Sequence, residues 1–173
     1  MNKNEELLPY YEKARELLDY NPKTGIFTWA ISRSSRAIKG GVAGRISNRG
    51  YRQIGISIKS KEKVISAHRL AYFICNNKLP NEAVDHINGD KLDNRIINLR
   101  SCTLQQNQFN RGCQSNSTSG FKGVSWYKRA KKWQSQIQKN GKGIHLGYFS
   151  TPKEASDVYQ AKARELYGEF YRE

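Results

Sequence analysis

Apolar residues recur at helical spacing over residues 5–19, which predicts a short amphipathic helix near the N-terminus. The pattern then changes to the period of two that is typical of strands, in the segments IFTW and GYRQIGISI. Asn21, Pro22 and Gly25 mark a turn before the first of these segments. We therefore predict a small antiparallel sheet over residues 21–65.

A second helix is predicted from a cap at Ser66 to about Asn76, because the apolar residues of this segment lie on one helical face. Thr103 and Gln106 have the spacing of a capping box. This spacing predicts a third helix that runs to about Arg111.

The C-terminal part of the chain has the pattern of three strands followed by a helix. FKGVSW, WQSQIQKNG and GIHLGYF have the pattern of short strands, and Asn140 and Gly141 are typical of a type I′ hairpin turn. The helix begins with Thr151 as its N-cap, and Gly168 lies at its end. Trp133 is expected in the core of this βββα unit, because aromatic residues of small sheets more often fill the core.

Together these elements predict an α+β fold built from small antiparallel sheets and helices. Residues 112–119 have the Gly/Ser/Asn-rich composition of a linker. The predicted domains are an N-terminal helix and basic β region at 1–65, a central core at 66–111, and a three-stranded antiparallel sheet plus helix at 120–173.

The charge balance of the chain indicates a polyanionic partner. Its 173 residues include 30 Lys and Arg against 15 Asp and Glu, a formal net charge of +15. Nucleic acid is the first candidate. No apolar run approaches the ~20 residues needed to cross a membrane, and the N-terminus lacks an apolar signal core. We therefore expect a cytoplasmic protein that is neither secreted nor bound to a membrane.

Carboxylates are absent between Asp19 and Glu62 and again between Asp93 and Glu154, and both stretches are rich in Lys and Arg. These stretches are suited to the phosphates of DNA, and the basic loop at 32–50 is expected to lie along a DNA backbone. The predicted DNA contacts of the first two domains are Arg33, Arg36, Arg45, Arg49, Arg52, Arg69, Arg95 and Arg100.

Four acids crowd into residues 82–93, where they would repel DNA unless a divalent cation were bound. We assign Asp90 and Asp93 to a polar turn. Asp85 offers the hard oxygen that Mg²⁺ prefers, and His86 is a base that titrates near neutral pH. Because adjacent residues of a regular strand point to opposite faces, a shared site requires the strand to end or distort at Asp85.

The segment DHINGDKLDNRIINLR followed by QQNQFN resembles the ββα-metal core of HNH endonucleases, particularly phage and intron-associated homing enzymes. The resemblance implies that His86 is the general base, that Asp85 and Asn107 are metal ligands, and that Asn98 fixes the loop by hydrogen bonding. The separations of 12 residues from His86 to Asn98 and 9 from Asn98 to Asn107 fit the pattern. Asn at the third motif position favours Mg²⁺ or Mn²⁺ over zinc.

Two plainer interpretations of DHINGD are weaker. An EF-hand loop beginning at Asp85 would need Glu at its twelfth position, which is Ile96. A simple polar turn leaves the adjacent carboxylate and imidazole unexplained. Asn94 is interpreted as structural, and His68, in the segment SAHRL, as a packing or backbone contact rather than a catalytic residue.

The C-terminal βββα unit resembles the AP2 DNA-binding domain, through FKGVSW, WQSQI, IHLGYF and the helix TPKEASDVYQAKARELYGEF. In that family the exposed sheet face lies in the major groove. The corresponding contacts would be Lys122, Ser125, Gln136, Gln138 and His145. Further phosphate contacts are expected at Lys128, Arg129, Lys131 and Lys142.

The leading hypothesis is a site-specific DNA endonuclease of the homing type that cuts double-stranded DNA with Mg²⁺ or Mn²⁺ and needs no small-molecule cofactor. A monomer or weak dimer is expected, with one active site per chain that nicks one strand. The main alternative is a non-catalytic DNA-binding regulator that keeps the HNH scaffold. An RNA-binding protein is a third possibility, which would favour an exposed aromatic platform.

Overall fold

In a computed structural model, the described residues are 3–80, 82–113 and 117–172. The predicted N-terminal helix is present as α1 (Lys3–Leu17). It ends two residues earlier than expected, because Leu18 and Asp19 enter strand β1 (Leu18–Asn21), which pairs antiparallel with β2 (Ile26–Trp29). Within the described residues no helix is both long and apolar enough to span a bilayer.

The single sheet predicted over residues 21–65 is wrong, because the strands form two sheets. The second sheet contains β3 (Arg45–Ile46), β4 (Arg52–Ile58) and β5 (Lys61–Ser66), in the order β3-β4-β5. An isolated bridge between Thr28 and Val42 links β2 to the segment before β3. The physical reason is that β2 already pairs along its length with β1, a strand whose first two residues the sequence analysis had assigned to the helix.

The predicted second helix is confirmed as α2 (Ala67–Asn76). Ser66 occupies its N-cap position, but its side chain makes no capping hydrogen bond. Its buried face joins α1 and the N-terminal strands in one hydrophobic cluster, which includes Phe27, Ile54, Leu70 and Phe73. The structure therefore unites the N-terminal region and most of the central core in one compact unit, Met1–Leu104. The sequence analysis separates these two regions at residue 65, because a shared core between distant segments leaves no mark in local composition.

Strands β6 (Ala83–His86) and β7 (Leu99–Cys102) form an antiparallel pair at the end of the first unit. Helix α3 (Leu104–Phe109) follows, and it is shorter than the predicted helix to Arg111.

The second unit is Gln105–Glu173, so the division falls before the predicted linker at 112–119. The segment before the linker belongs to this unit because it contacts residues that follow the linker. The Phe109 ring stacks on Tyr167 at 3.6 Å, and the Lys122 ammonium donates to the carbonyls of Phe109 and Arg111 at 2.6 and 2.7 Å.

The second unit contains the three strands and the helix that the sequence predicts, β8 (Val124–Tyr127), β9 (Lys132–Lys139), β10 (Lys142–Phe149) and α4 (Pro152–Tyr167). The sheet order is β10-β9-β8, and every pair is antiparallel. Asn140 and Gly141 both have positive φ, 51° and 77°, as a type I′ turn requires. The Thr151 side chain accepts a hydrogen bond from the Glu154 amide, which confirms the predicted cap.

Helix α4 covers one face of this sheet, where Ile137, Tyr159 and Ala163 form the centre of a small core. The predicted core position of Trp133 is wrong. Trp133 is half-buried and packs edge to face on Trp126, whose side chain is 46% exposed. The two indoles are cross-strand partners near the end of β8 and bury each other instead of entering the core.

Candidate active site and nucleic-acid interface

Asp85 and His86 are consecutive residues of β6, and their exposed fractions are only 5% and 4%. Asp85 pairs with Arg100, and His86 pairs with Leu99, in regular antiparallel register. The strand therefore continues through His86, and the expected break or distortion at Asp85 is absent. All four residues of β6 are buried; the Asp85 carboxylate bonds to Arg100, and the His86 imidazole lies against Asn94 and near enough to Asp85 to feel its charge.

The carboxylate of Asp85 is held by Arg100, its cross-strand partner. Asp85 Oδ2 accepts from Arg100 Nε at 3.2 Å and from Nη2 at 3.0 Å. Both side chains are largely buried, with exposed fractions of 6% for Asp85 and 14% for Arg100. Since an isolated buried carboxylate is strongly unfavourable, the guanidinium supplies the positive charge that Asp85 needs in the absence of another cation.

The imidazole of His86 is held by Asn94, from the loop that follows β6. His86 Nε2 lies 3.2 Å from Asn94 Oδ1, and Asn94 itself is 1% exposed. Burial lowers the pKa of His86 below its ordinary value, while the Asn94 contact and the charge of Asp85 oppose that change. The net direction favours neutral imidazole, the form that can accept a proton.

His68 and Tyr51 complete the surroundings of His86. The His68 ring lies edge to face against the His86 ring at 4.9 Å between centroids, and Tyr51 lies 5.2 Å from His68 and 6.0 Å from His86. Burial, followed by the charges of His86 and Arg69, lowers the pKa of His68 to about 3. Its Nδ1 is buried and has no hydrogen-bond partner among the described residues.

The sequence analysis assigned His68 to packing, and the contact with His86 agrees with that interpretation. It missed Tyr51 altogether and gave Asn94 only a structural role. No local pattern marks a contact between residues that lie 18 or 35 positions apart in the chain. The one available signal was the rarity of histidine, since the chain has only three.

Asn98 lies at the centre of a hydrogen-bond network in the loop between β6 and β7. Its side-chain oxygen accepts from the Asn88 amide at 3.0 Å, and its Nδ2 donates to Asn88 Oδ1 at 3.0 Å and to the Asp93 carbonyl at 2.8 Å. The Ile87 amide donates to the Asn98 carbonyl at 2.9 Å. These bonds tie the start of the loop to its end, directly after His86.

The predicted polar turn at Asp90 and Asp93 is confirmed. Asp90 accepts from the Leu92 amide at 2.9 Å, and Asp93 accepts from Asn88 at 2.8 Å. Asp93 also pairs with Arg95 at 2.6 Å, and the hydrogen bond from Arg95 is the main reason that the pKa of Asp93 falls to about 2.

A divalent cation must be judged here from the types of donor atom. Asp85 offers a carboxylate, and Asn107, which lies in α3 within the second unit, offers an amide oxygen. Within the described ranges there is no group of three or more His, Cys, Asp or Glu side chains that could hold a metal ion. The Asp85 carboxylate is the kind of hard oxygen ligand that Mg²⁺ and Mn²⁺ take, and these ions need few protein ligands because water and phosphate complete their shell. Ligation by Asn107 stays a prediction.

The predicted DNA-binding arginines of the first unit differ in their freedom to reach a ligand. Arg52 donates to the carbonyls of Ala43 and Gly44, both at 3.3 Å, and Arg69 donates to the Glu82 carbonyl at 2.7 Å. Arg95 and Arg100 are the partners of Asp93 and Asp85 described above. Four further arginines of this set are exposed, namely Arg33, Arg36, Arg45 and Arg49.

The predicted contacts of the second unit lie on the uncovered face of its sheet, at its hairpin turns, or at Lys122. Strand pairing places His145 opposite Gln136, and Ser125 opposite Gln134, on the face that α4 leaves open. Gln134 Nε2 lies 3.2 Å from His145 Nδ1. Five predicted contacts on this face or at its hairpin turns are exposed, and no Asp or Glu lies near them in the sequence. They are Lys128, Arg129, Lys131, Gln138 and Lys142. Lys122 differs, because its ammonium is occupied by the two carbonyls of the preceding segment.

Comparison with known proteins gives a match to a family model and to two curated relatives. Residues 66–109 match the model of the HNH endonuclease family. The chain is 36% identical over 105 residues to an uncharacterized HNH endonuclease, L560, of Acanthamoeba polyphaga mimivirus, covering 60% of this chain and 54% of that protein. It is 29% identical over 117 residues to Protein 3.8 of Escherichia phage T7, covering 67% of this chain and 96% of that one.

Among solved structures, the chain is similar to one described as DNA binding and cleavage by the HNH homing endonuclease I-HmuI. The TM-score is 0.42 and the identity 23%, over 81% of this chain and 75% of that chain. The match to the mimivirus protein spans only about half of that relative's length. The family model and the relatives support an HNH endonuclease domain in this chain, over residues 66–109.

Proposed function

We propose that this protein is a site-specific DNA endonuclease of the homing type, which hydrolyses a phosphodiester bond with Mg²⁺ or Mn²⁺ and His86 as the general base. The observation that carries the proposal is the buried pair Asp85 and His86 on β6, inside the segment that matches the HNH family. Buried titratable side chains cluster at functional sites, and this pair combines a possible metal ligand with a possible general base.

In the proposed reaction His86 takes a proton from water, and the water oxygen forms a bond to phosphorus as the bond from phosphorus to the 3′ oxygen breaks. The products are a 5′-phosphate and a 3′-hydroxyl, the latter after protonation by solvent. Asp85 and Asn107 would hold the metal ion, which stabilises negative charge on the phosphate and the leaving oxygen when it is bound. Asn98 would keep the loop after His86 in one conformation.

DNA would be held by the two basic regions on either side of the site in sequence. Arg33, Arg36, Arg45 and Arg49 of the first unit are exposed and lie in a stretch without carboxylates. The second unit would act as an AP2-like domain, and its open sheet face would enter the major groove. There Gln136 and Gln138 would contact base edges, since Gln pairs well with adenine. The protein would act as a monomer that nicks one strand.

The test first maps the target from the ends produced by cutting genomic DNA, and then follows relaxation of supercoiled plasmid DNA that contains this target, with Mg²⁺, with Mn²⁺ and with EDTA. We expect metal-dependent nicking by the wild type and a rate lower by on the order of 10² to 10⁴ for His86→Ala. His145→Ala is the matched control, because it removes a histidine of the DNA-binding face and should weaken binding without abolishing cleavage at saturating protein. Specific duplex binding without EDTA-sensitive nicking would instead favour the non-catalytic regulator.

A further inference from the structure

Asn94 is the side chain that contacts the proposed general base, and its chemistry fixes which imidazole nitrogen carries hydrogen. Asn94 Oδ1 lies 3.2 Å from His86 Nε2. An amide oxygen only accepts hydrogen bonds, so Nε2 must be the donor in this contact. In a neutral imidazole the lone pair is then on Nδ1.

The orientation of the Asn94 amide is decided by its other end. Asn94 Nδ2 donates to the Leu92 carbonyl at 3.1 Å. If the amide were rotated by half a turn, its oxygen would face the Leu92 carbonyl and two acceptors would meet. The oxygen therefore faces His86.

The backbone of Asn94 is also held firmly, by the hairpin of β1 and β2. The Tyr20 hydroxyl donates to the Asn94 carbonyl at 2.8 Å, and the Asn94 amide donates to the Leu92 carbonyl at 3.0 Å. Gly25, with φ of +73°, lies so close that a Cβ there would be 2.6 Å from the Asn94 carbonyl carbon. The acceptor is thus placed by elements outside its own loop, as expected for a residue that must fix another side chain.

We propose that Asn94 is a positioning residue that holds His86 in the tautomer with hydrogen on Nε2, so that Nδ1 can accept the proton of the attacking water. The proposal deepens the proposed function and rests on it for the role of His86. With hydrogen on Nδ1 instead, that nitrogen has no lone pair for the proton, and the water oxygen would attack phosphorus unassisted. Asn94 is 1% exposed and acts only through His86.

The tautomer can be measured directly in the protein without DNA or metal. Long-range ¹H–¹⁵N correlation spectra distinguish the two neutral forms of histidine, and the chain has only three histidines to assign, His68, His86 and His145. His68→Phe and His145→Gln identify the signals by their loss. We expect the pattern of hydrogen on Nε2 for His86 at about pH 7.5. The opposite tautomer in the wild type overturns the proposal.

Two substitutions of Asn94 extend the test. Asn94→Asp keeps an acceptor for His86 Nε2 but loses the donor to the Leu92 carbonyl, so it should retain the Nε2 tautomer at a cost in stability. Asn94→Ala removes the acceptor and should give a mixture of tautomers. Asn76→Ala, at the exposed end of α2, is the matched control and should leave the His86 signals unchanged. Unchanged His86 signals in Asn94→Ala contradict the proposal. If Asn94→Ala does not fold, the spectra of the wild type and Asn94→Asp decide.

Cleavage kinetics give a second readout. We expect Asn94→Ala to lower kcat by on the order of 10- to 100-fold with an unchanged KM for DNA, because Asn94 does not reach the substrate. If the tautomer changes as expected but no variant or wild type cuts DNA, the proposed function fails and the assignment of Asn94 to the His86 tautomer stands. If the wild type cuts DNA but Asn94→Ala cuts equally well, the positioning role fails alone.

Discussion

Arg100 and Asp85 face each other across strands β6 and β7, with the guanidinium nitrogens 3.0 and 3.2 Å from a single carboxylate oxygen. The side chains are only 14% and 6% exposed. Asp85 is the carboxylate that we assign to the metal. Arg100 therefore supplies in the metal-free protein part of the positive charge that a divalent cation would bring.

The first prediction concerns this ion pair. Arg100→Met should lower the free energy of unfolding by about 3 kcal/mol without metal, because it leaves a buried carboxylate uncompensated. Millimolar Mn²⁺ should then raise the Tm of Arg100→Met more than that of the wild type, and EDTA should reverse the gain. Lys153→Met is the control, since Lys153 and its partner Asp157 are both more than half exposed and the change should cost less than about 1 kcal/mol. Equal Tm shifts for variant and wild type would argue against metal binding at Asp85.

The second prediction concerns acid stability and His68. The pKa of His68 is about 3 in the folded protein and about 6.5 when unfolded, so the unfolded state binds more protons between these values. The stabilisation that comes from burying neutral His68 is fully present above about pH 6.5, and it is lost as the pH falls toward 3. When the pH is lowered from about 7.5 to about 5, we expect this residue to reduce the free energy of unfolding of the wild type by about 2 kcal/mol.

His68→Phe keeps a ring against His86 but cannot titrate. Urea unfolding measures the free energy of unfolding of both proteins at the two pH values. Its decrease from about pH 7.5 to about pH 5 should be smaller in His68→Phe than in the wild type by about 2 kcal/mol. The same pH dependence in both proteins would mean that His68 is not buried in its neutral form.

The third prediction concerns phosphate contacts in the second unit. Lys128→Gln should weaken binding to all duplex sequences alike and reduce the slope of log K against log salt by about 1, because one counterion fewer is released. Lys153→Gln is the matched control, since Lys153 lies on α4 and pairs with Asp157. A slope that falls equally in both variants would indicate a general charge effect instead of a local contact.

The fourth prediction separates base recognition from phosphate binding. Gln136 is exposed on the open sheet face, opposite His145. Gln136→Ala should reduce discrimination between target and altered sequences by about 1–3 kcal/mol and leave the salt slope unchanged. Binding competitions with single-position target variants measure this effect. Gln160→Ala on α4 should discriminate as the wild type does, and a loss of discrimination there would count against recognition by the sheet.

The sequence by itself determined the features that depend on neighbouring residues. The cap of α4 at Thr151, the hairpin at Asn140 and Gly141 and the polar turn after His86 follow from short-range backbone preferences and local hydrogen bonds. Asp85 and His86 could also be selected as candidate site residues from the sequence, because a carboxylate directly followed by one of only three histidines is recognisable without the fold. The positions of α1 and β1 were only partly predictable, since Leu18 suits the core from a helix or a strand.

Only the tertiary structure decided what surrounds Asp85 and His86. Arg100 reaches Asp85 through strand register, and His68 and Tyr51 reach His86 through the packing of α2 and of the segment before β4 against β6. The contact between His86 Nε2 and Asn94 Oδ1, to which we assign the tautomer, depends on a loop held by the N-terminal hairpin. Such contacts join residues far apart in the chain, and their formation depends on the shape of the shared core, which no local pattern of residues records.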